Sequence, residues 1–333
     1  MDDIQNKQRL HYIDVAKGLL ILMVIIYHIG GQFSKYEETD NTIFGYLPKF
    51  EFIYTFFFMP AFFAITGFCS NFDKPYKQFL WSDFKTLMIP AVSLTILCDG
   101  VGYLTTGNTD CYYLDTYLAI RMLSPLWFLI ALFWAKQIHF WLRRINKRIL
   151  LLMAYLIIMW ICVWSKRIVM DYWSLESSMI YVIFIFLGEQ LKKGNFQFVD
   201  WKICVVPYVM LVGGFRFFSL EIPSNYNGQL RVDTVPLNII GSVAGTLMIL
   251  YVAKMMTRNR CLEYLGRNSL VIYGVHRAII GLFCFIFQES LIGLNMRMSV
   301  VALFALLTFV ISICVMFAWL LNKKYLKWMI GKW

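Results

Sequence analysis

The sequence predicts an all-α fold: a polytopic transmembrane helical bundle of about ten spans, one membrane domain over residues 1–333, with both termini cytoplasmic. Three observations predict it. Hydrophobic residues make up 59% of the 333 residues and charged residues 15%, against about 45–50% and about 25% in soluble proteins. A helix needs about 20 mostly apolar residues to cross the hydrocarbon core. Such runs recur near 11–31, 50–70, 80–100, 118–140, 149–166, 176–192, 202–219, 235–256, 268–288 and 299–321. With the N-terminus inside, 21 Lys and Arg residues fall to the inner loops and ends and 7 to the outer loops, while Lys17, Arg216 and Arg277 lie within spans. Losing or gaining one span would scramble that split, so the bias supports count and orientation together.

The remaining composition follows from this frame. A formal charge of +11 would suggest nucleic acid in a soluble domain; here it reads as basic cytoplasmic loops. Of the eight cysteines, all but Cys111 fall in or beside apolar runs and none forms a Cys-x-x-Cys pair, which points to packing, with no metal site and no disulfide framework. The start, Met1-Asp2-Asp3, is acidic and no small-x-small cleavage signal follows the first apolar run, so a cleaved leader is not expected. The outer loops at 32–49, 101–117 and 220–234 are long enough to cap a cavity.

Ionisable groups inside a span cost several kcal/mol when they face lipid, so they mark interior sites. In the first span Asp14 and Lys17 share a helix face, with Arg9 just before them. They read either as an interfacial anchor or as contacts for a charged ligand. His28 follows Asp14 by 14 residues, roughly 21 Å along a helix. It therefore lies in the outer half of the membrane, and whatever orients its ring must come from another span. It reads as a general base or as a satisfied structural histidine. In the ninth span Ser269, Tyr273, His276 and Arg277 form a polar stripe, either substrate contacts or interhelical hydrogen-bond glue. Arg277 within a span argues against lipid exposure. His139, beside Lys136, Trp141 and Arg143, and His11 read as interfacial. Met59-Pro60, Thr66-Gly67 and Ser124-Pro125 mark kinks or close helix approach, and Glu51 and Asp99 sit at outer span ends.

Together these segments resemble the membrane acyltransferase-3 family, in its fucose 4-O-acetylase-like and polysaccharide O-acyltransferase branch. The resemblance is carried by Arg9-x4-Asp14-x2-Lys17-Gly18-x9-His28, by Met59-Pro60-x-Phe62-Phe63-x2-Thr66-Gly67-Phe68, by Trp127-Phe128-Leu129, and by Leu265-Gly266-x-Asn268-Ser269-Leu270-x2-Tyr273-x2-His276. It covers nearly the whole chain. It implies transfer of an acyl group from cytoplasmic acyl-CoA to a hydroxyl, commonly on a cell-envelope sugar. By the same resemblance His28 is the catalytic histidine, and Arg9, Asp14 and Lys17 match the motif's charged positions. The chain departs from the pattern at Phe58, where many relatives carry a histidine, and at Lys77 and Lys85, where many have arginines before the third-span proline. No soluble esterase-like domain is expected after the last span.

The chemistry needs a base, oxyanion stabilisation and a cradle for the CoA phosphates. His28 supplies the base. Tyr273, Asn268 or Trp127 could donate to the oxyanion, with Ser269, His276 and Arg277 as further acceptor contacts. Arg9, Lys17, Lys77, Lys85 and Arg267 are candidates for the phosphates. Acyl-CoA is then a donor substrate rather than a resident cofactor, acetyl is the default acyl group, and a glycan or lipid-linked sugar is the acceptor. The expected location is the bacterial inner membrane. The alternative is a transporter or exporter of an acyl group or small polar metabolite without chemistry of its own.

Overall fold

The computed structural model describes residues 10–33, 42–106, 126–145, 147–165, 174–194, 200–217, 235–256, 259–291 and 294–332. Among the described residues the structure is helical, with no strand. The helices in chain order are α1 (His11–Phe33), α2 (Ile43–Phe50), α3 (Phe52–Thr55), α4 (Phe58–Cys69), α5 (Tyr76–Asp83), a π-helical turn (Phe84–Met88), α6 (Ile89–Thr106), α7 (Trp127–Leu142), α8 (Arg148–Ser165) and α9 (Leu175–Lys193). They continue with α10 (Trp201–Cys204), α11 (Val206–Phe217), α12 (Val235–Met255), α13 (Arg260–Arg267), α14 (Ser269–Leu291), α15 (Met296–Leu321) and a closing 3-10 turn (Lys327–Ile330).

Six stretches among the described residues are long and apolar enough to cross a membrane: His11–Phe33, Ile43–Cys69, Tyr76–Gly100, Pro236–Met255, Ser269–Phe287 and Met296–Leu321. The apolar helices Ile149–Ile161 and Trp201–Phe215 are shorter. Helices α7 and α9 occupy the places of the expected fourth and sixth spans, with residues 118–125 outside the described set. The outer faces are apolar where a soluble protein would be polar. Helix α8 exposes Ile149, Met153, Ile157 and Trp160, and α15 exposes Val301, Phe304 and Trp319. Contiguous apolar surface of that extent needs lipid as its solvent.

Two glycine contacts set the packing. A methyl group at Gly18 would lie 2.3 Å from the Leu262 carbonyl oxygen, and one at Gly266 would lie 1.8 Å from that of Asp14. Helices α1 and α13 therefore touch backbone to backbone, each through its own glycine. The same reciprocity joins α4 to α9: a methyl at Gly67 would meet the Ile185 oxygen at 2.2 Å, and one at Gly188 the Ala64 oxygen at 1.8 Å. Small residues permit such approach where lipid offers no hydrophobic drive between helices.

The second span is broken at Phe56-Phe57, and Pro60 explains why. Proline has no N–H, so the Phe56 carbonyl loses its partner four residues on. Ser242 of α12 donates its hydroxyl to that carbonyl at 2.6 Å. The Tyr208 hydroxyl of α11 donates to the Ile53 carbonyl one turn earlier. Both carbonyls freed in the apolar interior are thus paired by other helices, as the bilayer requires. Ser242 belongs to a buried stripe on α12 with Asn238 and Thr246, spaced four apart so that all three lie on one face.

Replacing Gly266 by alanine forces its methyl into a backbone atom, and we expect a loss of about 3 kcal/mol in unfolding measured in detergent. Gly281→Ala, where nothing lies within 4 Å, is expected to be neutral or stabilising by up to about 1 kcal/mol. Ser242→Ala removes the hydroxyl that donates to the Phe56 carbonyl and should lower stability by about 1 kcal/mol in the same assay.

Candidate functional site: a histidine pair above a charged mouth

Helix α1 runs unbroken from His11 to Phe33, and its apolar positions hold it in the core. His28 is half-buried on it. Its ring lies 4.9 Å from that of His276, centroid to centroid, with 43° between the planes. The Tyr27 ring lies 5.2 Å from that of His28. His28 makes no hydrogen bond among the described residues. His276 is fully buried on α14, and its Nδ1 sits 2.9 Å from the Tyr273 carbonyl oxygen and 3.1 Å from that of Ile272. The first and ninth spans therefore meet at their histidines.

Aromatic rings extend the site. Tyr273 stands 5.8 Å from His276 and 5.5 Å from Phe128, and Phe128 packs on Phe62 and Phe63. The segment Trp127-Phe128 at the start of α7 thus flanks the Tyr273–His276 turn. Trp127 is half-buried, 6.0 Å from the Tyr181 ring. On the other side Phe58 lies 5.7 Å from Tyr27 and 5.9 Å from Tyr54. A methyl at Gly30 would lie 3.2 Å from Glu51 Oε1, so that carboxylate sits against α1 half a turn beyond His28.

The charged residues gather at the other end of α1. Asp14 is buried and accepts from Arg267 Nε at 3.4 Å. Arg267 Nη2 also donates to Glu263 Oε2 at 2.6 Å, and the same oxygen lies 3.0 Å from His11 Nδ1. His11 beside Glu263, and then Arg267, hold that carboxyl below the usual carboxylate range. Lys17 is half-buried one turn deeper. The C-terminal segment closes over this end. Asn322 Nδ2 donates to Asn268 Oδ1 at 3.1 Å, Ser93 donates to the Met329 carbonyl at 2.5 Å, and a methyl at Gly331 would meet the Lys85 carbonyl oxygen at 2.5 Å. Arg267, Lys17 and Lys85 consequently share one end of the bundle. Lys77 is exposed near it, and Arg9 lies outside the described residues.

Several sequence expectations change place. Asn268, a candidate oxyanion donor, gives its amide to the Tyr264 carbonyl at 2.9 Å and takes one from Asn322. It lies eight residues, roughly 12 Å, before His276, so its side chain ties helices together away from the pair. His276 turns its Nδ1–H to its own helix, so its free nitrogen accepts rather than donates. Arg277 is exposed rather than turned inward, while His276 beside it is fully buried. Ser269 is half-buried at the start of α14, more than a turn from Tyr273.

Two buried ionic clusters were not anticipated. Lys136 pairs with Asp83, which also accepts from Gln137 Nε2 at 3.0 Å. Lys136 is therefore in the bundle, not in a loop. His139, expected at an interface, is fully buried. It bonds Tyr155 through Nδ1 and Glu189 Oε2 through Nε2 at 2.8 Å, and Glu189 Oε1 reaches Arg143 at 3.2 Å and Lys193 at 2.9 Å. A carboxylate and a lysine inside predicted spans were the available signal for both clusters.

A family model described as an acyltransferase domain matches residues 10–319 of the chain. The chain belongs to the acyltransferase-3 family. It is an acyltransferase, and its apolar helices make it an integral membrane protein. No curated protein and no solved structure gives a significant match. The matched range takes in both histidines, the charged mouth and the broken second span.

The Glu263 site gives a pH expectation. A carboxyl held low in the folded state contributes stability above its unfolded value, about 4.3, and loses it as pH falls through the lower folded value. The unfolding-temperature difference between wild type and Glu263→Gln should therefore be full at neutral pH and shrink on acidification below about pH 4.

Proposed function

We infer that the protein is a membrane O-acyltransferase of the fucose 4-O-acetylase-like, polysaccharide-modifying branch. It moves an acyl group, acetyl by default, from cytoplasmic acyl-CoA to a hydroxyl of a cell-envelope sugar. The observation that carries this reading is the meeting of His28 and His276 inside the bundle, with cations collected at the cytoplasmic end of α1, on α1 itself and on the neighbouring α13. Lys17 precedes His28 by 11 residues, roughly 17 Å along the axis. Arg267, Lys17, Lys85, Lys77 and Arg9 hold the CoA phosphates at the cytoplasmic face, and the pantetheine arm passes between helices to present its thioester near His28. His28 takes the proton of the acceptor hydroxyl as the oxygen attacks the carbonyl. Tyr273 or Trp127 donates to the oxyanion. Ten spans with both termini inside, and the inner membrane of a bacterium, complete the picture.

The half-buried state of His28 supports the base role, since a substrate must reach the ring. The exposure of Arg277 beside the pair supports a polar outer mouth through which the sugar arrives. The test uses purified protein in nanodiscs with acetyl-CoA and envelope glycan. Wild type should release CoA thiol when acceptor is present, and His28→Ala, checked for native unfolding temperature, should lower the rate by at least about 10²-fold. Near wild-type turnover in that folded variant overturns the assignment of His28. A wild type that binds acyl-CoA yet never frees CoA overturns transfer itself and leaves a carrier.

A further inference from the structure

We propose that His276 is the positioning residue for His28: its Nε2 accepts the N–H of one His28 nitrogen and so leaves the lone pair of the other directed at the acceptor hydroxyl. The proposal rests on the acyl-transfer reading above and supplies what an isolated imidazole on an unbroken helix lacks. A neutral histidine has one donor and one acceptor nitrogen, and its tautomer is set by what the other nitrogen bonds. For His276 that choice is made locally. The atoms 2.9 and 3.1 Å from Nδ1 are the carbonyl oxygens of Tyr273 and Ile272, and a carbonyl only accepts. The proton is therefore on Nδ1, and Nε2 carries the lone pair.

That Nε2 is buried and has no hydrogen-bond partner among the described residues, on a side chain that is itself fully buried. An unpaired acceptor in such a place costs about 1–3 kcal/mol, so a donor belongs there in the working state. The rings beside His276 are those of His28 and Tyr273, and the exposed Arg277 follows it in the chain. Among the rings, His28 is nearest, at 4.9 Å between centroids against 5.8 Å for Tyr273, and it spends no hydrogen bond elsewhere among the described residues. Its ring torsion is broad and roughly two-fold, so a turn about that bond brings a nitrogen toward His276 without moving α1.

The proton and electron count then closes. The acceptor O–H gives its proton to the free nitrogen of His28 while its oxygen forms the C–O bond to the thioester carbonyl carbon. The imidazolium so formed keeps its other N–H on His276 Nε2. Collapse of the tetrahedral adduct breaks the C–S bond, and the leaving thiolate takes the proton from His28 to depart as CoA thiol. His276 stays neutral and touches no substrate atom.

The chain has four histidines, so a ¹⁵N-histidine NMR spectrum of the protein in nanodiscs can be assigned, with His28 identified by its loss in His28→Ala. In wild type His28 should hold a single tautomer. His276→Leu, which keeps the volume and removes the acceptor, should let both tautomers appear, lower kcat by about 10²-fold and leave KM within about twofold. His276→Asn keeps a polar group near the two carbonyls but places no atom at the Nε2 position, and should behave as the leucine variant does. His276→Gln restores an acceptor there and should recover at least about tenfold in kcat with one tautomer. An unchanged His28 tautomer in His276→Leu or His276→Asn overturns the proposal, as does a loss confined to KM or a glutamine variant no better than leucine. The spectrum needs no turnover, so it decides the pairing even where the transfer assay fails and the acyltransferase mechanism falls by itself.

Discussion

The interlocked glycines Gly18 and Gly266 are the constraint on which the rest of the candidate site depends. Each admits the backbone of the other's helix, so neither α1 nor α13 can slide or turn without a collision. His28 lies ten residues beyond Gly18, and His276 ten beyond Gly266. His28 rises roughly 15 Å above the contact on unbroken α1, and α14, which starts at Ser269 just after α13, brings His276 to within 4.9 Å of it, ring to ring. The same contact sets Arg267 beside Asp14, next door to the glycines. One steric fact thus registers the charged end and the histidine end at once.

Polar groups are distributed unevenly along that axis. At the charged end, carboxylates are paired: Asp14 and Glu263 with Arg267, Asp83 with Lys136, Glu189 with Arg143 and Lys193. Pairs of this kind hold helix orientation, and breaking one partner away costs far more than the pair contributes. Further along, around the break in the second span, several buried polar atoms have no partner among the described residues: the Tyr54 hydroxyl, both ends of the Asn238 amide, Thr246 Oγ1 and His276 Nε2. Glu263 Oε1 and Gln137 Oε1 are also without a partner among the described residues, but both residues are held at the charged end through their other polar atoms, whereas the open groups in the middle are neutral and can receive something polar there.

Much of this was legible in the sequence, for a physical reason. Spans are long apolar runs, and residues such as His28 and Asp14 are too costly in lipid to be incidental, so both stand out against their surroundings. Pro60 and Gly67 were readable as marks of a kink and a close approach, which they are. What could not be read is which residues meet. Nothing in the spacing says that Asp14 turns to Arg267, 253 positions away, or that Asn268 is consumed by Asn322. Lys136 and His139 were misplaced because hydropathy sees a charge near a span end and cannot see the carboxylate on another helix that draws it inside. Arg277 reads as inward because its span is apolar, and hydropathy does not say which side of a helix a single charge takes; here it is exposed while Val275 and His276 just before it are buried.

The break at Phe56-Phe57 carries a consequence for biosynthesis. Its two exposed carbonyls are silenced by hydroxyls at positions 208 and 242, which leave the ribosome long after the second span has been inserted. Until then this segment must hydrate its break or close it by bending otherwise, so its mature shape is acquired late and only in the presence of the downstream half. The chain is therefore not a sum of separately maturing halves: its early spans wait in the bilayer, unfinished, for the helices that complete them.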